Sequence, residues 1–205
     1  MNSEKSLTFE CTCGKLAGVV STKNAKGYRA ICLCDDCQAF AHFLGRHDVL
    51  DANGGTDIFP ITPASVKFTR GVEYLQCLRL TGKGMHRWFA SCCKTPIANT
   101  PASSSLPYVG LIHTILEKTN RNETLNKVFG PINARINGKF GIGPLPPGTL
   151  KSVSPGFILR VLKFAILGGI RGQRQPSPFF KRDGTPTVAP HVLTTQERDN
   201  LRLSH

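Results

Sequence analysis

Alternation of apolar and polar residues dominates the first half of the chain. The alternating or β-branched runs cover residues 6–10, 16–21, 28–34, 58–61, 65–69, 74–80 and 86–91, and Gly, Pro, Asn and Asp separate them. A period of two is typical of strands, which turn successive side chains to opposite faces of a sheet. The pattern therefore predicts a mainly β first half built from short strands.

Helical patterns are fewer, and most of them lie in the second half. In the first half, the run CQAFAHFL at 37–44 predicts one short helix that Asp35 or Asp36 caps and Gly45 ends. In the second half, apolar spacing and capping residues predict helices at 107–118, at 123–129 after an Asn122 cap, at 155–170, and at 195–203 after a capping box of Thr194 and Glu197.

A small polar stretch bounded by proline, residues 100–107, predicts a loop or linker near the middle of the 205-residue chain. This length suits one domain with an extension better than two large domains. We therefore expect a β domain at 1–106 and a helix- and loop-rich extension at 107–205 packed on it. The predicted fold class is mainly β, and α+β overall.

Positive charge is concentrated in the second half. The formal net charge is +13; residues 1–110 carry 12 Lys and Arg against 8 Asp and Glu, whereas residues 111–205 carry 14 against 5. Such an excess favours anionic partners. A nucleic-acid partner is not expected, because the basic residues are scattered and we find no RNA-recognition signature or regular zinc-finger spacing.

The segment 155–174 combines a strongly apolar helix with Arg160, Lys163, Arg171 and Arg174. Its apolar run is too short to span a bilayer, which needs about 20 apolar residues. Peripheral contact with a membrane surface is one interpretation. Burial against the β domain or in a homodimer interface is the simpler one.

The eight cysteines all lie before residue 94. The N-terminus lacks an apolar signal-peptide core, so we expect a cytoplasmic protein, in which clustered cysteines are metal ligands or reactive thiols more often than disulfides. Three clusters occur, at Cys11 and Cys13, at Cys32, Cys34 and Cys37, and at Cys92 and Cys93. Cys77 stands apart and is expected in the core of a strand.

The spacing within these clusters indicates metal binding. Cys-x-Cys places two sulfurs on one face of a strand, and the run at Cys32, Cys34 and Cys37 brings three thiolates within reach of one zinc ion. Three protein ligands leave the fourth position open, as in catalytic zinc sites. Cys11 and Cys13 with Cys92, Cys93 or both would form a closed structural site. Buried small hydrophobes, or a redox pair at Cys34 and Cys37, are the simpler alternatives.

With these motifs, residues 7–100 resemble the glutathione-dependent formaldehyde-activating enzyme family, which includes centromere protein V. The family pattern is C-x-C-G, then C-x-C-x-x-C, then F-C-x-x-C-G-T-P. This chain has CTCG at 11–14, CLCDDC at 32–37 and FASCCKTP at 89–96. Ala90 replaces a family cysteine and Lys94 a glycine, so Cys92 becomes the candidate replacement ligand.

The resemblance implies a small, mostly β, zinc-stabilised domain with two metal sites. Cys11, Cys13 and Cys93 map to the structural zinc, and Cys32, Cys34 and Cys37 map to the zinc near the active site, as catalytic residues. The implied reaction joins glutathione and formaldehyde, which is a carbon–sulfur lyase activity in reverse. The expected cofactor is Zn²⁺, one or two per chain, with glutathione or a similar thiol as co-substrate and an aldehyde as partner.

Several further side chains are candidates by sequence proximity. Lys26, Arg29, Arg46 and Arg87 could neutralise glutathione carboxylates, although solvated surface charge is the simpler interpretation. His42 could fill the fourth zinc position or carry a proton. The same two roles are open to His47 and His86.

Asp35 and Asp36 could support the ligands, and the turn at 53–56, Asn-Gly-Gly-Thr, could cradle an anion or be a plain turn.

The leading hypothesis is a zinc-dependent carbon–sulfur lyase-like protein. The alternative is a non-enzymatic, zinc-stabilised module that binds an anionic partner.

Overall fold

A computed structural model describes residues 6–23, 25–120 and 122–202 of the chain. Its strands are β1 Ser6–Glu10, β2 Ala17–Ser21, β3 Ala30–Cys32, β4 Thr56–Ile61, β5 Val66–Arg70, β6 Leu75–Arg79, β7 His86–Ala90, β8 Thr95–Thr100, β9 Val109–Ile112, β10 Ala134–Ile136 and β11 His191–Val192. Its helices are α1 Asp35–Leu44, α2 Thr114–Glu117, α3 Asn122–Phe129, α4 Pro155–Ile170 and α5 Thr195–Leu201, with short 3₁₀ turns between them.

Two sheets form the frame of the described chain. The larger has eight strands in the order β10-β3-β4-β9-β8-β7-β6-β11, and the smaller has the order β1-β2-β5. Neighbouring strands are antiparallel except at the two edges of the larger sheet, where β10 and β11 run parallel to their neighbours. The expected α+β fold, mostly sheet with a few helices, is confirmed at this level.

The larger sheet is covered on both faces. Trp88 belongs to a core cluster that includes residues of the smaller sheet and of α3, whereas Phe89 belongs to a second cluster with residues of α1. Adjacent residues of a strand point to opposite faces. The middle of the larger sheet is therefore a buried layer between the smaller sheet and the helix that carries Cys37.

Of the eleven strands in the described residues, seven are predicted, and β8 to β11 are missed. The seven predicted strands occur within a few residues of their predicted bounds, with 28–34 shortened to Ala30–Cys32. The prediction of a helix over 107–118 is wrong in its first half, because 109–112 is a strand and only 114–117 is helical. All four residues of β9 are buried, so the sequence has no polar face there to reveal a period of two.

The helix predictions hold in most details. α4 has the predicted bounds, with Ser154 as its N-cap. The capping box of Thr194 and Glu197 begins α5, and the predicted end at residue 203 lies outside the described residues. One prediction is wrong: Cys34, not Asp35 or Asp36, caps α1, and both aspartates lie in the first turn; Gly45 ends the helix as predicted.

The second half of the chain is joined to the first by backbone hydrogen bonds. β9 lies between β4 and β8, β10 extends the sheet beside β3, and β11 closes the opposite edge beside β6. The larger sheet thus contains strands from both sides of the predicted boundary between residues 106 and 107. The division into a domain and an extension at that boundary stays a prediction.

Candidate metal centres

Four cysteines from two distant loops meet at one point. Cys11 and Cys13 lie in the loop after β1, and Cys92 and Cys93 lie in the turn between β7 and β8. The Sγ atom of Cys92 is 3.7 Å from that of Cys11, 3.4 Å from that of Cys13 and 3.8 Å from that of Cys93. All four sulfurs lie within 4.8 Å of one another.

Backbone turns, not strand faces, bring these four sulfurs together. Gly14 adopts a φ of 76° and its N–H donates to the Cys11 carbonyl, which closes the first loop. Lys94, with a φ of 56°, closes the second turn, where both adjacent cysteines point inward. The expectation that Cys-x-Cys lies on one strand face is therefore corrected for this pair.

The four-cysteine cluster fits a zinc ion. A tetrahedral zinc site with Zn–S bonds of about 2.3 Å places its sulfurs about 3.8 Å apart. The measured Sγ separations of 3.4 to 3.8 Å agree with that value. Ala90 is buried at the end of β7, and Cys92, two residues later, lies in the cluster with Cys11, Cys13 and Cys93.

Basic side chains surround the four-cysteine cluster. Arg46 donates to the Thr12 and Thr95 hydroxyls, and Lys118 donates to the Thr12 carbonyl. Burial alone would raise the pKa of Cys93, but hydrogen bonds from the Thr95 hydroxyl and the Cys13 backbone lower it to about 6. The surroundings therefore favour the thiolate form of Cys93, whereas burial raises the pKa of Cys11 and of Cys92.

Three further cysteines form a second cluster where β3 meets α1. Cys32 is the last residue of β3, Cys34 caps α1, and Cys37 lies in its first turn. Their three sulfurs lie within 4.8 Å of one another, with 3.2 Å between Cys34 and Cys37. Cys32 and Cys37 are buried, and Cys34 is half-buried.

Among the three thiols, the surroundings favour ionisation of Cys37. Hydrogen bonds from Cys32 and Cys34, with the nearby Arg87 guanidinium, hold the pKa of Cys37 well below its usual range. Hydrogen bonds with Cys32 and Cys37 raise the pKa of Cys34 well above its usual range. A second thiolate in this space would repel the first, so full ionisation calls for a cation among the sulfurs. A divalent metal ion fits that requirement.

Arg87 is the buried cation beside this cluster. Its Nη1 lies 3.8 Å from the Cys37 sulfur and donates to the Asn99 side-chain oxygen at 3.3 Å. Its Nη2 lies 3.7 Å from Asp36, which also accepts from Arg202. Among the predicted carboxylate-binding residues, Arg87 is thus the one that the fold brings to the three-cysteine cluster, where it faces a sulfur.

The second half of the chain forms one wall of the three-cysteine cluster. Asn137 donates from Nδ2 to the Cys32 sulfur at 3.4 Å. The apolar residues packed on the cluster from this side are Ile136, Leu150, Val153 and Phe157. A cavity of about 10 Å³ beside Cys37 has room for about one water molecule. Thr56 lines it, and the Thr56 hydroxyl has no hydrogen-bond partner among the described residues.

The other predicted basic residues lie elsewhere. Arg29 binds Asp57 through two nitrogens and also donates to Asn126, so it joins parts of the fold. Arg46 belongs to the four-cysteine cluster, and Lys26 is exposed. None of these three residues has a hydrogen bond or ion pair to Cys32, Cys34 or Cys37 among the described residues.

The predicted histidines do not join either cysteine cluster of the described chain. His42 contacts the Leu201 carbonyl through Nδ1 at 2.9 Å, and its ring lies 5.2 Å from that of His47. His86 contacts the Pro101 carbonyl and stacks on Trp88. The interpretation of His42 as a zinc ligand is therefore wrong for this structure.

The turn at 53–56 is a plain turn. The backbone N–H groups of Asn53 and Gly55 donate to the Asp51 carboxylate, so they are not free to hold an anion. Cys77 is buried in the larger core cluster, as predicted.

Asn99, Asn137 and Thr95 are the residues that the sequence did not reveal. Each is an ordinary polar residue without a motif, and Asn137 lies 105 residues from its partner Cys32. Only the folded chain brings Asn137 and Thr95 to the sulfurs of Cys32 and Cys93, and Asn99 to Arg87.

A wider groove of about 210 Å³ lies beside α4, away from both clusters. Lys23, Tyr28, Phe164 and Arg171 are among its lining residues. Within the described ranges, no helix has both the length and the apolar character needed to cross a membrane.

The fold and the two clusters define a mainly β protein with two places that could hold a metal ion. The chain belongs to the family described as "Family of unknown function (DUF6151)", whose model matches residues 3–190. No curated protein matches it. One solved structure that it resembles is a crystal structure of a Rhodobacter sphaeroides protein, a structural-genomics target, at 18% identity and a TM-score of 0.43; the similarity covers 62% of this chain and 97% of that one.

Proposed function

We propose that this chain is a zinc-dependent protein of the carbon–sulfur lyase type that acts on the adduct of a small thiol and an aldehyde. The observation that supports it is the three-cysteine cluster, in which Cys32, Cys34 and Cys37 converge without a fourth His, Cys, Asp or Glu from the described chain. Zinc in proteins takes four ligands, so three leave one place for an outside donor. The motif resemblance to the formaldehyde-activating enzymes points the same way.

The proposed chemistry is the reversible addition of a thiol to a carbonyl. The thiol sulfur bonds to the aldehyde carbon, and the thiol proton ends on the carbonyl oxygen; the reverse reaction breaks the same carbon–sulfur bond. When bound, zinc supplies the ability to keep a coordinated thiol deprotonated at neutral pH. No oxidant or reductant is needed, because the oxidation states balance.

The chain's own residues would hold the site in shape. Arg87 and Asn137 contact the sulfurs of Cys37 and Cys32 and restrict their positions. Cys34 is the most exposed of the three, so a substrate thiol would approach on its side. The cavity of about 10 Å³ beside Cys37 admits nothing larger than about one water molecule, so the bulk of a thiol such as glutathione would stay outside.

The rate of adduct formation tests this proposal. Zinc-loaded full-length protein is mixed with glutathione and formaldehyde, and the adduct is followed by NMR. Wild type should exceed the uncatalysed rate, Cys34→Ser should lose the excess, and Cys77→Ala should keep it, since Cys77 lies outside both clusters. A wild-type rate equal to the uncatalysed one, with zinc bound, contradicts the proposal.

The alternative function is a zinc-stabilised binding module without catalysis. The small size of the cavity and the wall formed by residues 136–157 favour it, since a site closed in this way serves stability. In that case both clusters retain zinc and glutathione does not change the spectrum of Co²⁺ substituted at the three-cysteine cluster. A glutathione-dependent change in that spectrum would instead favour the lyase-type function.

A further inference from the structure

Helix α4 presents a continuous apolar stripe to solvent. At 3.6 residues per turn, its members lie within an arc of about 120°. They are Ile158, Leu159, Leu162, Ile166 and Ile170, which are 47, 68, 42, 59 and 77% exposed. Soluble surfaces carry single apolar residues routinely, but a row of five on one helix face marks an interaction surface.

The opposite face of α4 is already packed, so the stripe is not the face that holds the helix on the protein. Phe164, Ala165 and Gly168 are buried, and the Phe164 ring lies 4.7 Å from the Tyr28 ring. Rotating α4 to bury the stripe would expose these residues. The stripe is therefore available to a partner while the fold stays intact.

The flank of the stripe is basic. Arg160, Lys163 and Arg171 are exposed, and none forms an ion pair with another described residue. The sequence from 124 to 182 contains ten Lys and Arg and no Asp or Glu. The groove of about 210 Å³ on the same flank adds Lys23 opposite Arg171. A partner for this surface therefore has to be both apolar and anionic.

We propose that α4 binds the surface of an anionic lipid bilayer, with the stripe at the acyl boundary and the basic flank among the headgroup phosphates. An interfacial helix combines these features, and anionic lipids attract each nearby Lys or Arg. A second copy of the chain fits less well, because pairing two stripes would bring two basic flanks together without acidic residues. A protein partner is also disfavoured, since the stripe is aliphatic and lacks the aromatic residues that enrich protein interfaces.

Co-sedimentation of the full-length protein with vesicles tests this surface. We expect binding to phosphatidylcholine vesicles that contain phosphatidylserine, little binding to pure phosphatidylcholine, and weaker binding as salt rises. Leu159→Ser with Ile166→Ser should lower the partition coefficient more than about tenfold. Arg160→Gln with Lys163→Gln should lower it about 25-fold, which is about fivefold per charge.

Matched variants on other surfaces serve as controls. Val72→Ser with Met85→Ser removes two exposed apolar residues outside α4, and Lys67→Gln with Lys83→Gln removes two exposed charges. Both should bind as wild type. Wild-type protein that stays in the supernatant with anionic vesicles overturns the proposal. A dimer in analytical ultracentrifugation that Leu159→Ser with Ile166→Ser dissociates also overturns it, because a second copy then covers the stripe.

Discussion

Arg87 is a buried cation that contacts the three-cysteine cluster. Its guanidinium is buried beside Cys37, Asn99 and Asp36, and it lies over the Phe40 ring. A buried charge is costly unless it is paired and hydrogen-bonded. Arg87 and the anionic cluster therefore compensate each other.

Replacing Arg87 tests this dependence. Arg87→Met should lower zinc affinity at the three-cysteine cluster about 10- to 100-fold, as loss of a supporting contact does in other metal sites. It should leave the four-cysteine cluster unchanged. Competition with a chromophoric chelator measures both affinities, and Arg79→Met on the neighbouring strand is the control. Unchanged affinity at the three-cysteine cluster in Arg87→Met would show that its charge is compensated elsewhere.

The residues that support the cysteines could not be predicted from the sequence. Cysteine spacing is local, so it identified the members of both clusters. Asn99 and Asn137 are supporting contacts that arise from pairing between distant strands, and an isolated asparagine has no pattern. Cys92 was a candidate ligand from its place beside Cys93, and the incomplete motif at Ala90 added to that; the turn at 91–94 explains how two adjacent cysteines reach one point.

His86 gives the fold a predictable response to pH. Burial lowers the pKa of His86, whose ring packs against Trp88 and Phe180. The unfolded chain then binds a proton more readily than the folded one. The contribution of His86 to stability is full above the unfolded pKa of about 6.5 and declines as pH falls through that value towards the folded pKa.

Urea unfolding at pH 7.5, 6.5 and 5.5 checks this effect. Wild type should lose more unfolding free energy between pH 7.5 and 5.5 than His86→Gln does. Cysteine protonation affects both proteins equally, so the difference reports His86. Equal losses in the two proteins would rule out this role for His86.

At the scale of elements, alternation along the sequence accounts for part of what could be predicted. Strands with one polar face, such as β1 and β5, alternate and were predicted. β8 and β9 are buried along their whole length and were missed, although β3 and β7 are equally buried and were predicted. β10 and β11 are too short, at three and two residues, to carry a pattern. Local capping signals were sufficient for α4 and α5, because a cap acts within one turn.

Arg29, which directly precedes β3, links β4 to α3 and should matter for stability rather than chemistry. It binds Asp57 on β4, and its Nη1 donates to Asn126 on α3. None of its hydrogen bonds goes to a cysteine sulfur. Arg29→Met leaves the largely buried Asp57 without its cation, and the unfolding free energy should fall by about 2–3 kcal/mol. Arg70→Met is the control, because its ion pair with Glu10 is mostly exposed and worth under about 1 kcal/mol. Chemical denaturation measures both, and equal losses would contradict the structural role of Arg29.

At the scale of the whole molecule, the second half of the chain contributes to both the larger sheet and the three-cysteine cluster. It places β9 inside the larger sheet, and its residues Asn137 and Phe157 pack against the three-cysteine cluster. Phe157 lies in the first turn of α4, the helix that we propose binds lipid, so the two features share one element. In the sequence, the cysteines lie in the first half and the excess positive charge lies in the second. In the fold, strand pairing joins the two halves.

The four-cysteine cluster connects parts of the chain that lie far apart, since Cys11 and Cys92 are separated by 81 positions. Structural zinc contributes folding free energy directly. Elemental analysis of untagged protein purified without chelator measures directly whether both clusters hold zinc. We predict close to two zinc ions per chain for wild type and close to one for Cys92→Ser. One zinc or less in wild type would contradict the account.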